Sequence, residues 1–229
     1  QARLTGMQQL LEFDSGLALV QAANQVRRDA LDLNALLRSG SATITTPFPG
    51  GSLSDQLKQV AKIIKLRDIT GVKRQVFFCL LGGFDTHGSQ SWEHWNLLRQ
   101  VSEALAAFYK TTDEELGVAT QVTSFTLSDF GRSLQPSGSG SDHGWGNHQL
   151  ILGGAVQGGR IHGTFPSLAL GGPNDSGTRG TLIPTTSTEQ MGATLAKWLG
   201  VTDADLPLVF ANLYQNLNLF GEADLGFMG

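Results

Sequence analysis

The chain has one cysteine, Cys79, among its 229 residues, so no disulfide can form within it. The residue lies in the apolar run from Val76 to Leu81 and reads as a buried small hydrophobe. A disulfide-free chain fits cytosol and export alike. Lysine and arginine never gather into a run, and the formal net charge is -4, which leaves no basic footprint for nucleic acid. No apolar stretch reaches the roughly 18 residues that a membrane-spanning helix needs. No P-loop is present, no dinucleotide fingerprint sits between strand and helix, and no Gly-x-Ser-x-Gly elbow is found. No signal peptide precedes the first helix-like pattern. The start at Gln1 reads as that of a fragment, a processed product or a chain whose beginning is not recorded.

What is there points to a globular protein. Hydrophobic residues make up 40% and charged residues 16%, and this length buries one good core. From Leu10 to Leu37 apolar residues recur at helical spacing, as one helix or as two joined near Asp14 to Gly16. The stretch from Ser39 to Ser54 reads as a loop. Leu57, Val60, Ala61 and Ile64 then mark an amphipathic helix with Ser54 as N-cap. Val76 to Leu81 is a continuous apolar run ending at Gly82-Gly83, which predicts a buried parallel strand. Trp95, Leu98, Val101, Leu105 and Phe108 predict a helix. Gln121 to Leu127 and Gln149 to Leu152 predict two further strands, with a flexible Gly/Ser loop at Ser137 to Ser141 before the second. Thr186 and Glu189 predict a capping box opening a helix that Gly200 stops. Strands alternating with helices predict an α/β fold, a layered sheet of mostly parallel strands flanked by helices. The expectation is a single domain over residues 1–229, with a helical lead-in over 1–70 and the core over 71–229.

Three polar clusters flank the predicted strands: Asp85-Thr86-His87, Ser128 to Arg132 with Asp129 inside it, and Asp142 to His148. Ligands of open α/β sheets bind beyond the carboxyl ends of strands. The set Asp85, His87, Asp129, Asp142, His143 and His148 mixes carboxylate and imidazole, a donor set for Zn²⁺ or a similar divalent metal. On an extended backbone Asp85 and His87 share a face. Arg132 offers a planar fork for a phosphate or sulfate oxyanion. The plainer alternative has Asp85 and Asp129 capping helices and the histidines satisfying loop backbones. His94 and His162 read as structural.

The strings GGFDTH at 82–87, SDFGR at 128–132, DHGWGNHQLILGGAVQGGRIHG at 142–163 and IPTTSTEQMGATLAKWLGV at 183–201 resemble a bacterial family catalogued as domain of unknown function 1501. That family is grouped with the alkaline phosphatases and sulfatases, and its members are often exported. The resemblance implies an alkaline-phosphatase-like fold, a periplasmic or cell-surface location, and metals held by Asp and His at strand ends. Zinc is the metal it favours, with Mn, Ca or Mg as the other choices. Asp85 and His87 resemble the Asp–His pair of one metal site, and His143 resembles the last metal histidine. Asp142 and His148 are family-typical neighbours. Asp129 follows its strand as the superfamily's Asp-His pair does, but Phe130 stands where that histidine would be.

The superfamily also carries an early strand with a metal-binding Asp and a nucleophile, and nothing before Val76 matches it. Thr86 and Ser128 are the substitutes for that nucleophile. Two functions follow as expectations. One is a metal-dependent hydrolase of small phosphate or sulfate esters. The other is a non-catalytic scaffold whose open sheet edge is covered by a partner chain or by further copies, in an oligomer or an extracellular lattice.

Overall fold

The computed structural model describes residues 5, 6, 9, 11, 12, 16–39 and 42–229. The chain divides into two compact units. The first takes the described residues up to Thr45 together with Lys58–Phe77, and the second takes Thr46–Leu57 and Phe78–Gly229.

In the first unit, α1 spans Ala18–Arg38 and α3 spans Arg67–Thr70. Of the predicted segment from Leu10 to Leu37, Leu10 itself and the proposed joint at Asp14 and Ser15 lie outside the described residues. Helix α2, Ser52–Lys65, runs from the second unit into the first. Its Leu57, Val60, Ala61 and Ile64 are all buried, the spacing of one helical face. The helix starts two residues before the predicted cap, and Ser54 lies inside it with its hydroxyl buried and without a hydrogen-bond partner among the described residues.

In the second unit, α4 spans Gln90–Lys110 and buries Ala104 and Phe108. A single π-helical turn over Thr111–Glu115 follows. Thr111 and Thr112 donate their hydroxyls back to the Ala107 and Tyr109 carbonyls, at 2.8 and 2.9 Å. Glu115 accepts from the Thr46 N–H and hydroxyl at 2.8 and 2.7 Å, which pins the loop before α2. Near the C-terminus α5, Thr188–Leu199, packs with α6, Leu206–Val209, α7, Ala211–Gln215, and α8, Leu217–Phe220. Ala193, Leu206 and Leu213 form that core. The capping box of α5 is present one residue later than predicted, on Ser187 and Gln190.

The predicted layered parallel sheet is overturned. The strands are β1, Thr123–Phe125, β2, Gly131–Ser137, β3, Gly140–Gly144, and β4, Ile151–Gly153. They form two separate antiparallel pairs, β1 with β4 and β2 with β3. The Gly/Ser stretch read as a flexible loop is the hairpin turn of the second pair. Ser137 faces Gly140, so the loop is Gly138-Ser139, and Gly138 takes the positive φ of 63° that such two-residue turns require.

The first predicted strand, Val76 to Leu81, has no strand partner among the described residues. Its side chains nevertheless alternate as a strand's would: Val76, Phe78 and Leu80 are 78%, 87% and 63% exposed, while Phe77, Cys79 and Leu81 are half-buried. Among the described residues only Leu80 of this run has its backbone engaged, and the partner is a side chain. The Gln56 amide donates to the Leu80 carbonyl and accepts from its N–H, both at 2.9 Å. An apolar run encodes compatibility with a buried strand, but not the neighbours that would bury it.

Candidate metal centre

The hairpin places the site. At Gly140 the β2–β3 turn lies directly on the Asp85-Thr86-His87 segment. A β-carbon there would meet the His87 carbonyl and come within 2.7 Å of the Thr86 carbonyl oxygen, so only glycine permits the approach. The contact is fastened by Ser139. Its carbonyl accepts from the Gln90 N–H and its hydroxyl oxygen from the Ser89 N–H, each at 3.0 Å.

Against that turn the Asp85 segment alternates as extended chain does. Asp85 and His87 are exposed, and Thr86 between them is 1% exposed, its hydroxyl without a hydrogen-bond partner among the described residues. His87 Nε2 lies 2.9 Å from Asp85 Oδ1. Strand β3 alternates too. His143 turns toward the same carboxylate, with its Nε2 2.7 Å from Asp85 Oδ1. Its neighbour Asp142 instead pairs with Arg179 at 3.2 Å. Phe130 stacks on the His143 ring at 4.0 Å between centroids and 13° between planes, which sets the plane of the imidazole.

Arg132, on β2, is committed to holding this arrangement. Its Nη1 donates to the Ser141 carbonyl at 2.6 Å, and its Nη2 donates to the Phe84 carbonyl at 2.7 Å and reaches Asp85 Oδ1 at 3.4 Å. The His143 hydrogen bond, and then the charges of His87, His143 and Arg132, hold the Asp85 carboxyl below its ordinary range.

Of the nine residues singled out in the sequence, Asp85, His87 and His143 come together with Arg132 beside them, while the Ser128 hydroxyl donates to the Phe130 carbonyl at 3.0 Å. One ligand atom from each of the three lies within 4.8 Å of the others. Thr86 adjoins the cluster but keeps its hydroxyl out of solvent. Asp129 is exposed on the loop before β2 and is not part of the group. His148 stacks on Phe165 at 5.0 Å. Of the two histidines read as structural, His94 packs edge-on against Phe84 and His162 edge-on against Phe227.

One carboxylate and two imidazoles suit zinc, and three protein ligands leave a fourth position open, as catalytic sites do. Tetrahedral zinc with ligand bonds near 2.0–2.1 Å separates its donor atoms by about 3.3 Å. The donors here are 2.7 and 2.9 Å apart, so a small outward shift would admit an ion.

Sequence reasoning missed Phe130 as the stacking partner of His143, and it missed Asp175. The Asp175 carboxylate is buried and accepts four backbone N–H groups, from Gly171, Gly177, Gly180 and Thr181, at 2.8 to 3.1 Å. These bonds, Gly171 foremost, hold its pKa below the ordinary value. The loop it organises lies along the hairpin. Leu134 and Gln135 donate to the Gly180 and Arg179 carbonyls, and Gly146 donates to that of Leu182. The Gly-Gly-Pro-Asn-Asp-Ser-Gly composition at 171–177 was the available signal for such a self-bonded turn.

A family model described as "Protein of unknown function (DUF1501)" matches residues 7–209. No curated protein and no solved structure matches the chain. The chain belongs to that family.

Proposed function

We propose that this member of the DUF1501 family binds one divalent metal ion, zinc by its donor set, through Asp85, His87 and His143, and that the ion serves hydrolysis of a small phosphate or sulfate ester. The observation that carries the reading is the convergence of the three donors on one point from the loop before α4 and from β3. A bound divalent ion supplies Lewis-acid polarisation of an ester oxygen. The chain's own groups supply position. Asp85 brings the negative charge that favours a cation, Arg132 fixes that carboxylate, and Phe130 fixes the His143 ring. Arg132 is thereby a positioning residue, because Nη1 and Nη2 are taken by Ser141, Phe84 and Asp85. The place of the family among the alkaline phosphatases and sulfatases belongs to this same reading.

The test loads the purified chain with Zn²⁺ and assays generic phosphate and sulfate esters beside His143→Ala. Turnover that needs zinc and fails in the variant supports the hydrolase. Turnover unaffected by the variant would place the chemistry elsewhere.

A second reading has its own observation. Val76, Phe78 and Leu80 present exposed apolar side chains on a run with no strand partner among the described residues, and such surfaces recruit other chains. In this reading the chain is a non-catalytic scaffold that self-associates through that run. It expects zinc binding without turnover, together with an oligomer in solution.

A further inference from the structure

Helix α1 turns an apolar seam away from the protein that carries it. None of its 21 residues is buried. Its middle is half-buried on the side of Asn24, Arg28 and Leu31, where Arg28 donates to the Leu11 carbonyl. On the other side Leu19 and Val26 are 84% and 68% exposed, and Ala23 and Ala30 are exposed with them. A helix that only covered its own core would turn such a face inward.

Leu19, Ala23, Val26 and Ala30 follow one another at spacings of four, three and four residues, the alternation of a coiled-coil seam. Leu33 and Leu37 continue it into the half-buried end of the helix. That spacing fits another helix, and the order of sizes selects which one. The spacing is the same in both directions, but reversal exchanges large residues for small ones. A second copy of α1 laid antiparallel therefore sets Leu19 against Ala30 and Val26 against Ala23, each pair occurring twice about a two-fold axis. Each of the four layers then joins one large and one small side chain, so that facing positions interdigitate. A parallel copy would crowd Leu19 on Leu19 and leave gaps where Ala23 meets Ala23 and Ala30 meets Ala30. The charges agree with the antiparallel register. Arg27 and Asp29 flank the seam on either side, and in this register they face Val20 and Ala22 of the second copy. Sliding the copies one heptad toward Leu37 would bring Arg27 against Arg27 and Asp29 against Asp29, which is repulsive.

We infer that α1 is the contact of a homodimer, in which two copies pack antiparallel through Leu19, Ala23, Val26 and Ala30 about a two-fold axis between Asn24 and Gln25. The free seam is about 17 Å long, so the interface falls below the roughly 1,200 Å² of a standard stable complex. The dimer is therefore weak and forms at high protein concentration.

The experiment uses the full 229-residue chain carrying Cys79→Ser, so that no other thiol is present. Leu19→Cys and Ala30→Cys are made as separate chains, and each is oxidised alone and in an equal mixture at sub-millimolar concentration. In the antiparallel register position 19 of one copy meets position 30 of the other, while like positions stay about 16 Å apart, beyond the reach of a disulfide. The expected result is a disulfide dimer in the mixture, with the α1 peptides of the two variants joined, and none in either variant alone. Val26→Lys added to both chains should cut the cross-linked yield at least about tenfold, because it sets a charge into the seam. Val26 is exposed, so an unchanged Tm should show that the fold holds. A disulfide dimer in one variant alone would show a parallel contact. No dimer in the mixture would show that something other than a second copy covers the seam. Either result, or a yield indifferent to Val26→Lys, would overturn the proposal. Association through the Val76 to Leu81 run cannot imitate the outcome, because the cross-link reports the register of α1.

Discussion

His143 Nε2 lies 2.7 Å from Asp85 Oδ1, across 58 residues of sequence. The hairpin makes this meeting possible by laying its turn on the Asp85-Thr86-His87 backbone, and Gly140 is the point of closest approach. Gly140→Ala should therefore push the hairpin off that segment and separate the two residues. The expected outcome is loss of zinc affinity together with a lower Tm. An alanine variant with unchanged zinc affinity would show that the approach is not needed.

The Asp175 loop braces the same hairpin from the other side, and its strength depends on an ionised carboxylate. A carboxyl whose pKa is lower in the folded state contributes stability that is fully present above its unfolded value, about 3.9. That contribution is lost as pH falls through the folded value. Asp175→Asn should lower Tm by several degrees at pH 7, and the gap from the parent should narrow on acidification below pH 4. A gap independent of pH would mean that the charge contributes nothing.

The capping box of α5 gives a check on stability away from the site. The Ser187 hydroxyl oxygen accepts from the Glu189 N–H at 3.1 Å, so Ser187→Ala should destabilise by about 1 kcal/mol. Gln190 is buried, accepts from the Ser187 N–H and donates to the Phe220 and Glu222 carbonyls, so Gln190→Ala should cost about 2–3 kcal/mol. Urea denaturation of both variants measures the difference, and equal losses would contradict the network.

The exposed face of Val76, Phe78 and Leu80 touches little, so Phe78→Lys should change stability by less than about 0.5 kcal/mol. If that run drives self-association, the variant should also shift the sedimentation profile toward monomer. A profile unchanged by the substitution would remove the support for the scaffold reading.

Helices were legible in the sequence where one apolar face repeats. Leu57, Val60, Ala61 and Ile64 mark α2, and Trp95 to Phe108 mark α4. The sheet was not legible, because pairing is a relation between segments. Val76 to Leu81 has a strand's composition and no partner strand, while Gly131 to Gly144 has few apolar residues and pairs through its turn. The site was legible in its residue types but not in its membership. Alternation along β3 sends His143 to Asp85 and its neighbour Asp142 to Arg179, a choice fixed by which face the hairpin turns inward.

The most direct test of the account is zinc content by elemental analysis after equilibrium dialysis. It should be run on the 229-residue chain, on His87→Ala and on His143→Ala. The prediction is one zinc per chain, with absorption-edge distances of about 2.0–2.1 Å to nitrogen. Each histidine variant should bind at least about tenfold more weakly, since even the partners of metal ligands are worth that much. A chain that retains no zinc, or that holds it equally well without His87 and His143, would contradict the metal centre.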